Sequence, residues 1–291
     1  MPKRSSIDIA KNKIKSFFSK NVGRVVSTNE LYNIIWTHSD QWGIAASLHH
    51  KKVASQFVTK GIIKLIELEH TTKGDKKLYA PYNWKDDPFE IGMNLSRNVY
   101  FTHYTAMVIH GLTDQIPKSY FVNYERPTPT IRGEIDQEII DENFSRPLKR
   151  SSNIYSYDDF KFYLLQGVHT GQLGVQDFGN NFKSLCTDLE RTLIDITVRP
   201  AYSGGVTEVL EAFIRAKESI NFNQLVLYLK QIQHAYPYHQ AIGFYMERAG
   251  YTESHLEILK EMGINYKFYL SHGIRKPKIS NDWNIVYPDG F

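Results

Sequence analysis

The chain has 291 residues, 42% of them hydrophobic and 23% charged, a length and composition that suit a globular protein of about two domains. No apolar run is long enough for a membrane span, the basic start MPKRSSIDIAKNKIKSFF lacks the apolar core of a signal peptide, and the single Cys186 leaves no internal disulfide, so a cytoplasmic protein with no membrane partner is expected. The net charge of +4 conceals an asymmetry: residues 1–82 hold 14 Lys/Arg against 6 Asp/Glu, leaving 21 and 25 of the chain's 35 and 31 for residues 83–291. A basic N-terminal part joined to a mildly acidic remainder fits a chain that meets phosphates at one end and something else at the other.

In chain order, Ile7, Ala10, Ile14, Phe17 and Phe18 share one helical face, and the helix they predict ends near Asn21-Val22-Gly23. Ser27-Thr28-Asn29-Glu30 has the capping-box pattern, with Leu31, Ile34 and Ile35 as a short buried stripe behind it. A third helix is predicted over 46–60, with Ala46, His50, Val53 and Phe57 inward and Gly61 as its left-handed end. Its opposite face carries Lys51, Lys52, Ser55, Gln56 and Thr59, in which lysines suit phosphates and the polar side chains suit base edges. IIKLIELEH and KKLYA then pair as strands around Thr72-Lys73-Gly74-Asp75, a turn flanked by Lys73, Lys76 and Lys77. Three helices and a lysine-tipped hairpin match the winged helix-turn-helix, whose third helix enters the major groove while the wing touches backbone. Of the adjacent histidines, His50 is expected in the core and His49 at the surface.

Asn83–Phe89 breaks both the strand pattern and the charge pattern, placing the domain boundary after residue 82. In 83–291, the stretches 120–127, 138–144 and 160–168 are rich in aromatic and β-branched residues and read as sheet. Helices are expected over 187–198, 205–217, 222–234, 239–249 and 254–262, and Cys186 reads as a packed thiol at the start of the first of them. The expected fold is therefore α+β: an N-terminal winged helix-turn-helix (1–82) followed by a larger mixed α/β domain (83–291) with a helical C-terminal half.

Three segments in this order behind a winged helix, YTAMVIHGLTDQIP (104–117), ERTLIDITVRP (190–200) and YSGGVTEVLEAFIRA (202–216), resemble the AbiEi family of antitoxin regulators over nearly the whole chain. The resemblance implies a repressor of its own operon that binds double-stranded operator DNA and neutralises a cognate nucleotidyltransferase toxin through its C-terminal domain. The matching residues that stand out are His110, Gly111, Glu190, Arg191, Asp195, Arg199, Gly204 and Gly205. One winged helix reads few base pairs, so a dimer on an inverted repeat is expected.

The same residues have a physical reading of their own. Leu189, Leu193 and Ile196 form a buried stripe flanked by Glu190, Arg191 and Asp195, and Arg191 and Asp195, four apart, are able to pair. Arg191 and Arg199 near the helix ends, followed by the Gly204-Gly205 turn, offer an alternative role as a basic surface for an acidic partner or nucleic acid. His110-Gly111 reads as a helix end, with the histidine on its terminal carbonyls. No metalloprotease, Walker, nucleophile-elbow or dinucleotide fingerprint occurs, so no enzyme, cofactor or metal is expected. The competing class is a nuclease or nucleotidyl-transfer enzyme targeted by the winged helix. Its weak candidates are the Arg97/His103 pair and the adjacent Asp158-Asp159, which on an extended segment point to opposite faces.

Overall fold

The computed structural model describes residues 5–129, 135–179 and 184–291. The chain divides into two compact units: residues 5–97 with Ser152–Phe162 form the first, and residues 98–129, 135–151, 163–179 and 184–291 form the second.

The first unit opens with α1 (Ser6–Phe17), capped reciprocally by Ser5 and Asp8, and a wider turn carries the chain to Gly23. Strand β1 (Val26–Ser27) precedes α2 (Thr28–His38). The Ser27 side chain accepts from the Glu30 amide as the capping pattern predicts, but the Glu30 carboxylate turns to Arg24 rather than back to the cap. Helix α3 is His50–Thr59, one turn shorter than predicted, because His49 caps it by accepting from the Lys51 amide and leaves Ala46 exposed outside it. Its other end is a complete Schellman turn: Gly61 at φ 63° lets its amide reach the Val58 carbonyl (2.9 Å) and the Ile62 amide reach that of Phe57 (2.8 Å). Strands β2 (Ile63–His70) and β3 (Lys76–Pro81) pair antiparallel, with β1 on the far side of β3. Ile7, Ile14, Phe18, Leu31, Ile35, Trp42, Val53 and Phe57 form one core, so the expected apolar stripes do converge. His50 is half-buried against the Tyr32 and Trp36 rings, whereas His49 is exposed.

The segment expected to be a linker is built into this unit. Asp87 caps α4 (Pro88–Met93) through the Phe89 amide, and Glu90 accepts from the Val25 amide (2.8 Å) and Trp84 Nε1 (3.0 Å). Ser19 Oγ donates to Asn83 Oδ1 at 2.8 Å. The chain therefore leaves the unit only after residue 97.

The second unit begins with β4 (Tyr100–Phe101), α5 (His103–Ile109), β5 (Ser119–Glu125) and α6 (Gln137–Ser145). The last of these replaces the strand expected at 138–144. Asp136 caps it through the Ile139 amide, and its two buried residues, Ile140 and Phe144, lie four apart, which is helical spacing. The chain then returns to the first unit as β6 (Ile154–Tyr157), which pairs antiparallel with β2 through Glu69 opposite Ser156 and His70 opposite Tyr155. Asp158 and Asp159 form the tight turn before β7 (Phe160–Gly167), with Asp158 at φ 47°.

The rest belongs to the second unit. Strands β8 (Val175–Asp177) and β9 (Leu185–Thr187) pair antiparallel, β9 runs parallel to β4, and β4 is antiparallel to β5. Cys186 lies on β9 rather than in a helix; it is buried, and burial pushes its thiol well up. Five helices follow, α7 (Leu189–Val198), α8 (Val206–Ala216), α9 (Phe222–Ile232), α10 (Tyr238–Arg248) and α11 (Glu253–Lys260), each close to its predicted span. Helix α7 packs against α5, α8, α9 and α10 at the centre of the unit's core, contributing Leu193, Ile194 and Ile196. A last sheet holds β10 (Phe268–Tyr269) parallel and β11 (Pro277–Ser280) antiparallel to β12 (Ile285–Pro288). Buried Gln240 ties α10 to it, donating to the carbonyls of Tyr266 and Trp283 at 2.8 Å each. The fold is α+β, as expected, and among the described residues no helix is long and apolar enough to cross a membrane.

Candidate nucleic-acid interface and the buried motif

At 100° per residue, Lys51, Ser55, Thr59, Lys52 and Gln56 follow one another around α3 within an arc of about 140°, opposite Val53 and Phe57. Lys51, Lys52, Ser55 and Thr59 are exposed and Gln56 is half-buried. The Thr59 hydroxyl is partly committed, donating to the Ser55 carbonyl at 2.9 Å. Many of the first unit's other cations are engaged within it: Lys60 with Asp8, Arg24 with Glu30, Lys13 on the Gln41 carbonyl and Lys64 on that of Trp84. Lys51, Lys52 and Lys73 have no side-chain partner among the described residues, so their charge is available to an outside anion.

The hairpin holds only part of what the sequence suggests. Lys73 stands exposed at the tip. Lys77 forms an ion pair with Glu67 at 2.8 Å, which raises its pKa, and Lys76 is half-buried, which lowers its own. Lys73 is thus the hairpin lysine that is both exposed and without an ion-pair partner among the described residues. The tip is fixed by a residue that sequence reading passes over. His70 Nδ1 accepts from the amides of Thr72 (3.0 Å) and Lys73 (2.7 Å), which places the ring proton on Nε2, and Nε2 donates to Asn153 Oδ1 at 2.8 Å. Asp75 Oδ1 closes the turn on the His70 amide (3.2 Å). His70→Ala leaves two turn amides without their acceptor and is expected to cost the hairpin about 1–3 kcal/mol. Faster amide exchange confined to residues 71–75 is the expected readout; unchanged exchange there would show that His70 does not hold the tip.

Sequence reading misses Trp36 as well. It falls off the Leu31/Ile35 stripe and is 68% exposed, its ring edge-on to His50 at 5.6 Å beside the start of α3.

In the second unit, the ERTLIDI segment is a buried polar knot. Arg191 is 4% exposed and cannot serve as a surface cation. Its Nε donates to Asp195 Oδ1 (2.8 Å) and its Nη1 to the Leu173 carbonyl (2.9 Å) and Thr170 Oγ1 (3.3 Å). Thr102 Oγ1 donates to the other Asp195 oxygen at 2.8 Å. Burial opposes ionisation of Asp195, but the Arg191 charge and these hydrogen bonds hold its carboxyl below the usual range. Glu190 accepts from the Asn221 amide (2.7 Å) at the start of α9. Asp188 caps α7 on the Arg191 amide and accepts from the Tyr228 hydroxyl at 2.6 Å. The motif's charges therefore hold helices and loops together.

Of the remaining predicted positions, His110, Gly111, Gly204 and Gly205 are structural in their contacts or conformation. His110 follows α5 and Gly111 adopts φ 67°, as expected of a helix end, but His110 Nε2 donates to the Thr187 carbonyl on β9 (2.7 Å) rather than to carbonyls of its own helix. Gly204 and Gly205 have φ 83° and 98°, and a Cβ on Gly204 would meet Glu208 at 2.8 Å. Arg97 lies in a turn and His103 is buried at the start of α5. Arg199, half-buried at the end of α7, lines a cavity.

No known protein-family description matches the chain, and a search of curated proteins finds no match. Among solved structures, the RV2827C protein from Mycobacterium tuberculosis has a similar fold, with a TM-score of 0.63 at 11% identity over 98% of this chain and 93% of that one. At that identity the likeness concerns the fold alone.

Proposed function

We propose that the chain is a DNA-binding antitoxin and transcriptional autorepressor that binds inverted repeats in its own promoter and counteracts a cognate nucleotidyltransferase toxin. The observation that carries the DNA-binding part is the α3 face: uncommitted Lys51 and Lys52 beside Ser55 and Gln56, on a helix running through a Schellman turn into a hairpin tipped by exposed Lys73. That division suits lysines on phosphates and an amide on a base edge. The toxin and the operon rest on the resemblance of 104–117, 190–200 and 202–216 to AbiEi regulators. Binding as a pair sets half-sites on one DNA face, about 34 Å apart or a multiple of that.

Gel shifts on the DNA upstream of the chain's own reading frame test the assignment. Gln56→Ala is expected to relax base preference at one position by about 1–3 kcal/mol, while Lys73→Ala weakens all sequences alike and lowers the salt slope by about one unit. Equal loss of specificity from both variants would defeat this assignment of roles, and retention of full affinity by a Lys51→Glu/Lys52→Glu double variant would remove α3 from the interface.

A further inference from the structure

The second unit contains a cavity of about 410 Å³, within the range of small-molecule sites. It lies where the end of α7, the ends of β5 and β7, the loop before α10 and the turn after β10 meet. Two guanidinium groups line it, Arg126 and Arg199, and none of the described residues that line it is acidic. Arg199 is half-buried and has no carboxylate partner among the described residues; the α7 carbonyls beside it supply only a partial negative charge. The Arg199 charge, in a concave wall of low dielectric, attracts an anion more strongly than the same charge on an open surface.

The rest of the wall is largely apolar and aromatic, with Gln166, Ser271 and His234 as its other polar side chains. Leu148 contributes an aliphatic side. His272 is stacked on Phe144 (4.5 Å between ring centroids, 11° between planes), and its Nδ1 donates to the Asn143 carbonyl at 3.0 Å, which leaves Nε2 for a ligand. Tyr236 is edge-on to Phe144, and its hydroxyl accepts from Asn143 Nδ2 at 3.0 Å. Both rings are thus set before any ligand arrives, which lowers the entropy lost on binding.

A guanidinium and fixed aromatic rings lining one cavity of this size match a molecule with a phosphate and a planar ring. We propose that the cavity binds a nucleoside phosphate, with Arg199 on the phosphates and Tyr236 and His272 against the base. The site is independent of the DNA-binding reading and adds a small-molecule input to this chain.

Calorimetric titration of the full chain with ADP, GDP, CDP, UDP and inorganic phosphate tests it. Saturable binding of at least one nucleotide is expected, weakened about tenfold or more by Arg199→Met, which keeps the aliphatic stem and removes the fork. Tyr236→Leu is expected to weaken nucleotide binding and bring it towards that of inorganic phosphate. The wild-type titration is decisive without the variants: no saturable binding of any nucleotide up to roughly 1 mM overturns the proposal. Inorganic phosphate binding as tightly as the nucleotides overturns the assignment of the aromatic wall, and equal nucleotide affinity in a folded Arg199→Met protein overturns that of Arg199.

Discussion

Replacing Arg191 with methionine is expected to destabilise the second unit by about 3–5 kcal/mol, because Asp195 is left ionised, buried and without its counter-charge. The carbonyl of Leu173 and the hydroxyl of Thr170 lose a donor in the same step. Removing both charges should cost much less. In Arg191→Met/Asp195→Leu both charges of the pair are gone, and what remains is the Thr102 hydroxyl without its acceptor and the Leu173 carbonyl and Thr170 hydroxyl without their donor. Urea midpoints of the wild type, single and double variants measure the difference. A single variant within about 1 kcal/mol of wild type would show that the pair does not anchor α7.

Acidification below about pH 6.5 is expected to destabilise the protein, and buried His103 is a principal cause. Burial pushes its imidazole down from 6.5 to about 3, more than the nearby Asp195 charge raises it. Between those two pH values the unfolded chain binds a proton that the folded chain refuses, so stability falls as pH falls; above about 6.5 the contribution is present in full. A shift of that size corresponds to about 4–5 kcal/mol across the window. His103→Asn tolerates the backbone at φ 52° and removes the titration. The variant should lose less stability than wild type between pH 6.5 and 4, whatever its stability at pH 7. Parallel curves would show that His103 does not titrate in this way.

What can be read from the sequence is local. The Gly61 helix end, the Ser27 cap and the i,i+4 spacing of Arg191 and Asp195 are properties of neighbouring residues, and each appears where the pattern places it. Burial of the Arg191–Asp195 pair is not legible, because it depends on α5, α8, α9 and α10 closing around α7. Helix α6 reads as a strand because Ile139, Ile140 and Phe144 favour strands individually, while the Asp136 cap and the fourfold spacing of Ile140 and Phe144 outweigh that preference. Lys76 and Lys77 read as free because composition is visible in the sequence, and the burial of one and the Glu67 partner of the other are not. The cavity joins Arg126, Arg199, Tyr236 and His272 from distant stretches of chain, so no single window of sequence contains it.

Because β6 supplies the outer neighbour of β2 and the Asn153 contact to His70, the hairpin is made from two stretches of chain separated by residues 98–151. During synthesis at about 5–20 residues per second, the return to residue 152 comes on the order of 3–10 s after residue 97 has been added. Until then one margin of β2 has unmet backbone donors and acceptors, and the lysine-tipped turn lacks its brace. A nascent chain thus gains its finished hairpin only after the first stretch of the second unit has been translated. For the same reason, a cut after residue 82 separates β2 from β6 and would leave a sticky strand on one fragment and an unpaired one on the other.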